Sequence, residues 1–210
     1  MNGILAFLKA GGPVVVVLLV LSVVAMALSI VKVLQFMKEG VGRHGHLSTA
    51  LKAWTESRSV DAAGVLQGKT SPAGRVLRHA IEAAPRFGQN IEAAREDVMR
   101  VAQEELRDIR RYLRGIEVIA QSAPLLGLLG TVIGMIEAFS QLEAAGSAVD
   151  PSRLAGGIWT ALLATALGLA VAIVFSIAGA WFEGRVDNER SVIETTLSGF
   201  FASFGTKRWP

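Results

Sequence analysis

Apolar residues along the 210-residue chain gather into three blocks separated by polar stretches. Pro13 to Val31 runs for 19 residues without a charge, and neither Val118 to Met135 nor Leu154 to Phe182 contains Asp, Glu, Lys, Arg or His. A helix needs about 20 residues to cross a hydrocarbon core roughly 30 Å thick, so each block predicts a membrane-spanning helix. The pattern also permits a cleaved leader, with Lys9, the run Val14 to Val24 and Ala25-Met26-Ala27 as its three parts. Against that, the apolar run continues past Ala27 to Val31 and a basic anchor at Lys32, so a true span is expected. The resulting fold class is an all-α membrane protein with three transmembrane helices, the second and third extending as long helices into the cytoplasm. Its expected divisions are an external leader over 1–12, a first span over 13–35, a cytoplasmic helical domain over 36–116, a second span over 117–142, an external loop over 143–152, a third span over 153–182 and a cytoplasmic helix over 183–210.

Between the first two blocks the periodicity changes. Val98, Ala102, Leu106, Ile109, Leu113, Ile116 and Ala120 recur at steps of three and four, which is one helical stripe. It enters the second block without a break signal and predicts a single rod of about 50 residues, roughly 75 Å long. Glu92 with Arg95, Glu96 with Arg100, and Asp108 with Arg111 are expected as solvated pairs on its outer faces. Ser48 is placed as the cap of a helix through Arg58, and Ser71-Pro72 as cap and first turn of a helix through Ala84, stopped by Pro85 and Gly88. Pro124 lies just inside the second span, where its missing N–H predicts a kink. Asp150-Pro151 reads as cap and first turn of the third span. Trp159 and Trp181 stand 22 residues apart, about 33 Å of helix, as interface anchors on the two membrane surfaces. Past Trp181, Val186, Ile193, Leu197 and Phe200 mark an amphipathic continuation of that helix.

Composition changes this picture only through the distribution of charge. Of 21 Lys and Arg residues, 15 lie between Lys32 and Arg114 and four follow Trp181. The positive-inside rule therefore assigns those two segments to the cytoplasm and leaves the N-terminus outside. The basic residues are interleaved with acids and flank membrane spans, which argues against nucleic acid as a partner. With no cysteine, no Ser-centred elbow, no phosphate-loop sequence and no paired acids in an apolar setting, an enzyme is not expected, nor a cofactor. His44 and His46 are too few to complete a metal shell, and read as a solvated juxtamembrane loop; no metal site is expected. His79 reads as surface or satisfied core.

The candidate chemistry lies in the second and third blocks. Gly127, Gly130 and Gly134 in one, and Ala161, Ala164 and Gly168 in the other, form small faces of the kind that lets helices approach closely in lipid. Thr131, Thr160, Thr165 and Ser176 place hydroxyls among them. Two readings stay open: the hydroxyls bond back to their own helix, or they line a narrow polar path and bond between helices. Glu137, near the outer end of the second span with Glu143 beyond it, reads as a rim group, although an acid at membrane depth carries a functional hypothesis by default. A proton route through a bilayer needs a titratable group near the midplane. This chain offers only hydroxyls there, so a second chain must bring the acid if such a route exists.

The stretches APLLGLLGTVIGMIEAF (Ala123 to Phe139) and GGIWTALLATALGLAVAI (Gly156 to Ile173) resemble the paired signature of the MotA/TolQ/ExbB proton-channel family, most closely its ExbB/TolQ branch. The three-span layout and the large insertion between spans one and two extend the resemblance over nearly the whole chain. It implies a subunit of a homo-oligomer, a pentamer, in the bacterial inner membrane, with the N-terminus periplasmic and the C-terminus cytoplasmic. It also implies a dimer of an ExbD- or TolR-like single-span protein in the central pore, a TonB- or TolA-like arm, and protons as the coupling ion. The family's pore threonines fall on Thr131 and Thr165. One position departs from the pattern, since the Glu usual in the third-span GIxE motif is Thr160 here. The partner's acid then suffices, or Glu137 compensates, or the ion differs; the first is preferred. A scaffold whose small-residue helices serve only oligomerisation is the competing expectation.

Overall fold

The computed structural model describes residues 2–56, 58–68, 71–145 and 151–204, with side chains described from Gly12 onward apart from residues 59, 144, 145, 151 and 153. Among the described residues the chain forms helices and no strand: α1 (Asn2–Lys38), α2 (Gly45–Thr55), α3 (Ser59–Leu66), α4 (Pro72–Phe87), α5 (Ile91–Arg110), α6 (Leu113–Ala145) and α7 (Pro151–Phe204). Three stretches are long and apolar enough to cross a membrane, Gly12–Lys38, Leu113–Glu143 and Leu154–Phe204. The chain divides into two compact units. One combines Met1–Ile30 with Tyr112–Ala180, the other Val31–Arg111 with Trp181–Pro210.

The first unit holds the apolar parts of α1, α6 and α7. Gly12 breaks α1 with φ 67° and ψ −175°, a left-handed φ that glycine adopts at little cost, and Pro13 follows with its fixed φ suited to a helix start. Val15, Leu18, Ala25, Ala123, Ala138, Ala161 and Ala164 are buried. Their exposed counterparts are large and apolar, including Val20, Val23, Leu125, Ile136, Leu162, Ile173 and Ile177. An apolar outer belt over a small-residue interior is the pattern that lipid demands. Pro124 lies inside α6, which continues on both sides of it. Asp150, and with it the expected Asp150-Pro151 cap, lies outside the described residues, as do the side chains of the leader.

The second unit is built as a water-soluble domain is built. Trp54 stacks on Phe200 at 4.7 Å between ring centroids, and Leu66, Leu77, Ile81, Val98, Ile193, Leu197 and Phe204 complete one core. Ser71 caps α4 as expected, its side chain accepting from the Gly74 N–H with Pro72 in the first turn. Asn90 caps α5 by accepting from Ala93 N.

Several expectations are corrected. The continuous rod does not form: α5 ends at Arg110, Arg111 is extended (φ −53°, ψ 138°), and Tyr112 takes a left-handed φ of 71°. That conformation disfavours a residue with a Cβ by roughly 1–2 kcal/mol. Before the break, the Asp108 and Arg111 carbonyls accept from Gln35 and Lys32 of α1. On each side of the break the expected positions are buried by themselves: Val98, Ala102 and Ile109 before it, with Leu106 partly so, and Leu113, Ile116 and Ala120 after it. Ser48 does not cap α2; the helix starts at Gly45, and Ser48 Oγ donates to the Gly45 carbonyl within its first turn. Pro85 is carried inside α4, which stops at Gly88 (φ 53°). On α5, Arg100 pairs with Asp97 and Glu104 and not with Glu96, and the Arg95 guanidinium lies over the Phe201 ring.

Candidate functional site

Within the first unit, α6 and α7 meet along the two small faces. A Cβ placed on Gly127 would stand 3.0 Å from Thr165 Cα and 3.1 Å from the Ala164 carbonyl oxygen. On Gly134 it would meet Ala161 Cβ at 2.9 Å, and on Gly130 Ala164 Cβ at 2.6 Å. Gly168 is the tightest against main chain, with Ala123 O only 2.5 Å from an added Cβ. Backbone therefore lies on backbone here, and Gly157 against Ala138 continues the contact. α1 joins it where Val14 approaches Gly130.

The hydroxyls divide between the two open readings. Thr131 Oγ1 donates to Leu128 O at 2.6 Å and Thr160 Oγ1 to Gly156 O at 3.1 Å, both within their own helix. Thr165 Oγ1 instead crosses to the Gly127 carbonyl on α6 at 2.8 Å. It bonds where the glycine lets the helices touch, so hydroxyl and small residue form one feature. Thr131 borders an open depression on α6 with Met135, Phe139 and Glu143. Glu137 is exposed on the same helix, Ser176 is exposed on α7, and Trp159 and Trp181 are both exposed rings on α7. The structure thus brings Thr165, Gly127, Ala164 and Gly168 together and leaves Thr131, Thr160 and Glu137 apart from that contact.

Two buried charges in the second unit escaped the sequence reading. Lys32 is fully buried rather than an exposed anchor. Its ammonium donates to Gln35 Oε1 at 2.8 Å and to the Arg111 carbonyl at 3.0 Å, over the Phe36 ring. Gln35 Nε2 donates to Asp108 O and to Glu39 Oε1. The end of α1 thereby adds a second donor to the Asp108 carbonyl, which also accepts from the Arg111 N–H, and supplies one to the Arg111 carbonyl just past α5. From Glu39 the charges continue to Arg75, which pairs with Glu105 in a two-pronged contact. That bonding, Glu105 first, raises the Arg75 guanidinium above its already high pKa.

Glu189, on α7, is also fully buried. It accepts from Gly42 N at 3.0 Å and from Ala73 N at 3.2 Å, and His44 Nε2 lies 2.8 Å away. The carboxylate sits at the N-terminus of α4, where the helix dipole favours negative charge. His46 Nε2 faces Ser71 Oγ at 3.0 Å, so the two histidines turn to separate partners and do not form a solvated loop. His79 pairs with Asp97 at 2.6 Å. Both buried charges carried a signal. Lys32 follows Leu18 and Ala25 at intervals of seven on the buried face of α1, and Glu189 falls between Val186 and Ile193 on the apolar stripe of α7.

The architecture defines a class: a three-span helical membrane protein with a close-packed pair of small-residue helices and a charged helical unit. The family model of the MotA/TolQ/ExbB proton channel family matches residues 69–195, and the chain belongs to that family, in its ExbB branch. It is 31% identical over 165 residues to the ExbB-like 3 protein of Synechocystis, covering 78% of this chain and 77% of that one. Over 124 residues it is 37% identical to an ExbB homolog of Methanothermobacter thermautotrophicus, and over 106 residues 37% identical to the biopolymer transport protein exbB1 of Vibrio cholerae. Those matches cover 59% and 50% of this chain, and the chain spans 42% and 46% of those two relatives.

Proposed function

We propose that this chain is the ring subunit of an inner-membrane complex that uses the proton motive force, together with a single-span partner of the ExbD/TolR type, to energise biopolymer transport. The observation that carries the reading is the α6–α7 contact, where Thr165 bonds to the Gly127 carbonyl across a backbone-close interface. A proton crossing lipid needs a titratable stop, and the α6–α7 contact supplies the Thr165 hydroxyl and backbone carbonyls but no ionisable side chain. In this reading the partner contributes an acid that meets Thr131 and Thr165 from the pore, and Thr160 leaves the acid's role wholly to the partner. Five copies of the chain form the ring, and a TonB- or TolA-like arm receives the motion. Each charge moved through 100 mV releases about 2.3 kcal/mol, so several steps are needed for mechanical work. The N-terminus faces the periplasm and the second unit the cytoplasm, as the Lys and Arg distribution supports.

The experiment is partner-dependent proton uptake by liposomes containing the reconstituted complex. Thr131→Val with Thr165→Val is expected to abolish most of the flux while the mass of the complex stays constant, and Thr165→Ser, which keeps the bond to Gly127, is expected to retain it. A scaffold is the second reading, favoured by the bonds of Thr131 and Thr160 to their own helices. Undiminished flux in the double variant, or formation of no complex with the single-span partner, overturns the motor in favour of it.

A further inference from the structure

In the second unit α5 and α7 leave a groove of about 530 Å³ between them. Its floor is apolar, formed by Met99, Leu106, Ile193, Leu197 and Phe201, and its walls carry Arg95, Arg107, Arg110 and Arg190 against a single acid, Glu194. The arginines are held in distinct ways. Arg190 pairs with Glu194 and Arg110 with Asp187, while the Arg95 guanidinium spreads over Phe201. Arg107 makes no ion pair among the described residues. The α5 wall runs from Arg95 to Arg110, about 22 Å at 1.5 Å per residue, the length of a four-turn helix.

We propose that this groove docks an acidic amphipathic helix of a partner protein, its aliphatic face on the Met99–Leu197 floor and its carboxylates on the arginine walls. The chemistry follows from the charge. An apolar floor between two helices is the form that receives a helix by its i, i+3, i+4 residues, and guanidinium groups select carboxylates because the two planar groups bond in parallel. A second copy of the chain fits less well. The unit itself carries 18 Lys and Arg against 14 Asp and Glu, an excess of positive charge that makes a second copy less complementary to the arginine walls than an acidic helix. The site does not depend on the ion pathway, and its success or failure leaves that reading untouched.

The test uses the full chain in nanodiscs of zwitterionic lipid and a fluorescein-labelled peptide of about four turns, with Leu at i, i+3 and i+4 and Glu elsewhere. Saturable anisotropy that weakens with salt is expected, and a peptide with Lys in place of Glu is expected to stay free. Arg95→Glu with Arg107→Glu is expected to weaken binding by at least about tenfold, with helix content by circular dichroism unchanged. Arg107→Gln, a milder change at a residue without an ion pair, is expected to give a smaller loss in the same direction. Binding of acidic and basic peptides alike, indifference to the arginine variants, or a change in particle mass on charge reversal, which would make the groove a contact between copies, overturns the proposal. Displacement of the peptide by phosphatidylglycerol vesicles also overturns it, in favour of a lipid-headgroup site.

Discussion

The two units solve the same problem, holding helices together, by opposite means. In the first, α6 and α7 approach by removing side chains: Gly127, Gly134 and Gly168 leave no room for a Cβ, and one hydroxyl bond, Thr165 to Gly127, joins the backbones. In the second, helices are held by large groups, with Trp54 on Phe200 and Leu77, Ile193 and Phe204 around them. The solvent explains the difference. Burying a Leu from water contributes about 1.5–3 kcal/mol, whereas in lipid the same burial exchanges one apolar neighbour for another, and close van der Waals packing has to serve instead. Polar groups differ likewise. The first unit keeps hydroxyls that find acceptors nearby, while the second buries a full carboxylate and ammonium, each surrounded by partners.

That contrast is broken most severely at Glu189. Glu189→Ala removes the acceptor of two backbone N–H groups and the partner of His44. Leaving the buried Ala73 donor unpaired costs about 1–3 kcal/mol, with a smaller cost at the exposed Gly42, so a loss of about 1–4 kcal/mol is expected, confined to the second unit. Limited proteolysis between Lys38 and Ile91 is the measurement, and resistance equal to the parent chain would refute the structural role. Glu189→Gln keeps one acceptor oxygen and is expected to lose less.

Next in size is the small-residue contact. Gly168→Leu forces a side chain against the Ala123 carbonyl, a neighbour that cannot rotate away, and overpacking of this kind costs about 1–3 kcal/mol. Because the helices are stable singly in lipid, the expected result is separation of α6 from α7 with helix content unchanged. The distance between spin labels placed at the exposed positions Leu125 on α6 and Leu162 on α7 reads it, and an unchanged distance in Gly168→Leu would contradict the backbone contact. Lys32→Met follows. It keeps the length of the side chain but withdraws the donor from Arg111 O and Gln35 Oε1, for about 1–2 kcal/mol. Hydrogen exchange at residues 108–116 is expected to quicken, since the carbonyls that stop α5 lose a partner.

The spans, the small faces and the cap at Ser71 were legible because each follows from a local pattern: apolar length, residue size, or a side chain within a few residues of the backbone it serves. The break at Arg111–Tyr112 was not. No Gly or Pro marks it, and the groups that stabilise it, Lys32 and Gln35, are more than 70 residues away in the chain. Glu189 was obscured in the same way, since its partners Gly42, His44 and Ala73 come from two distant segments. Thr165 shows the limit within the candidate site. Its residue type allowed both a bond to its own helix and a bond across, and only the proximity of Gly127 decides between them.

The smallest effect sharpens the comparison through pH. Asp97 is held below the usual carboxylate range first by its hydrogen bond to His79 and then by Arg100. A depressed carboxylate contributes stability that is present above its unfolded pKa, near 3.8, and is lost as pH falls through the lower folded value. The pair is partly exposed, so the contribution is below about 1 kcal/mol. Asp97→Asn is expected to lower the thermal midpoint slightly at neutral pH, and the gap to the parent chain is expected to close as the solution is acidified below the carboxylate range. The α6–α7 contact, joined by the Thr165 hydroxyl, has no such group, so Thr165→Ser is expected to show no shift of midpoint with pH beyond that of the parent. A gap for Asp97→Asn that stays constant down to acid would mean that the side chain acts there by shape and not by charge.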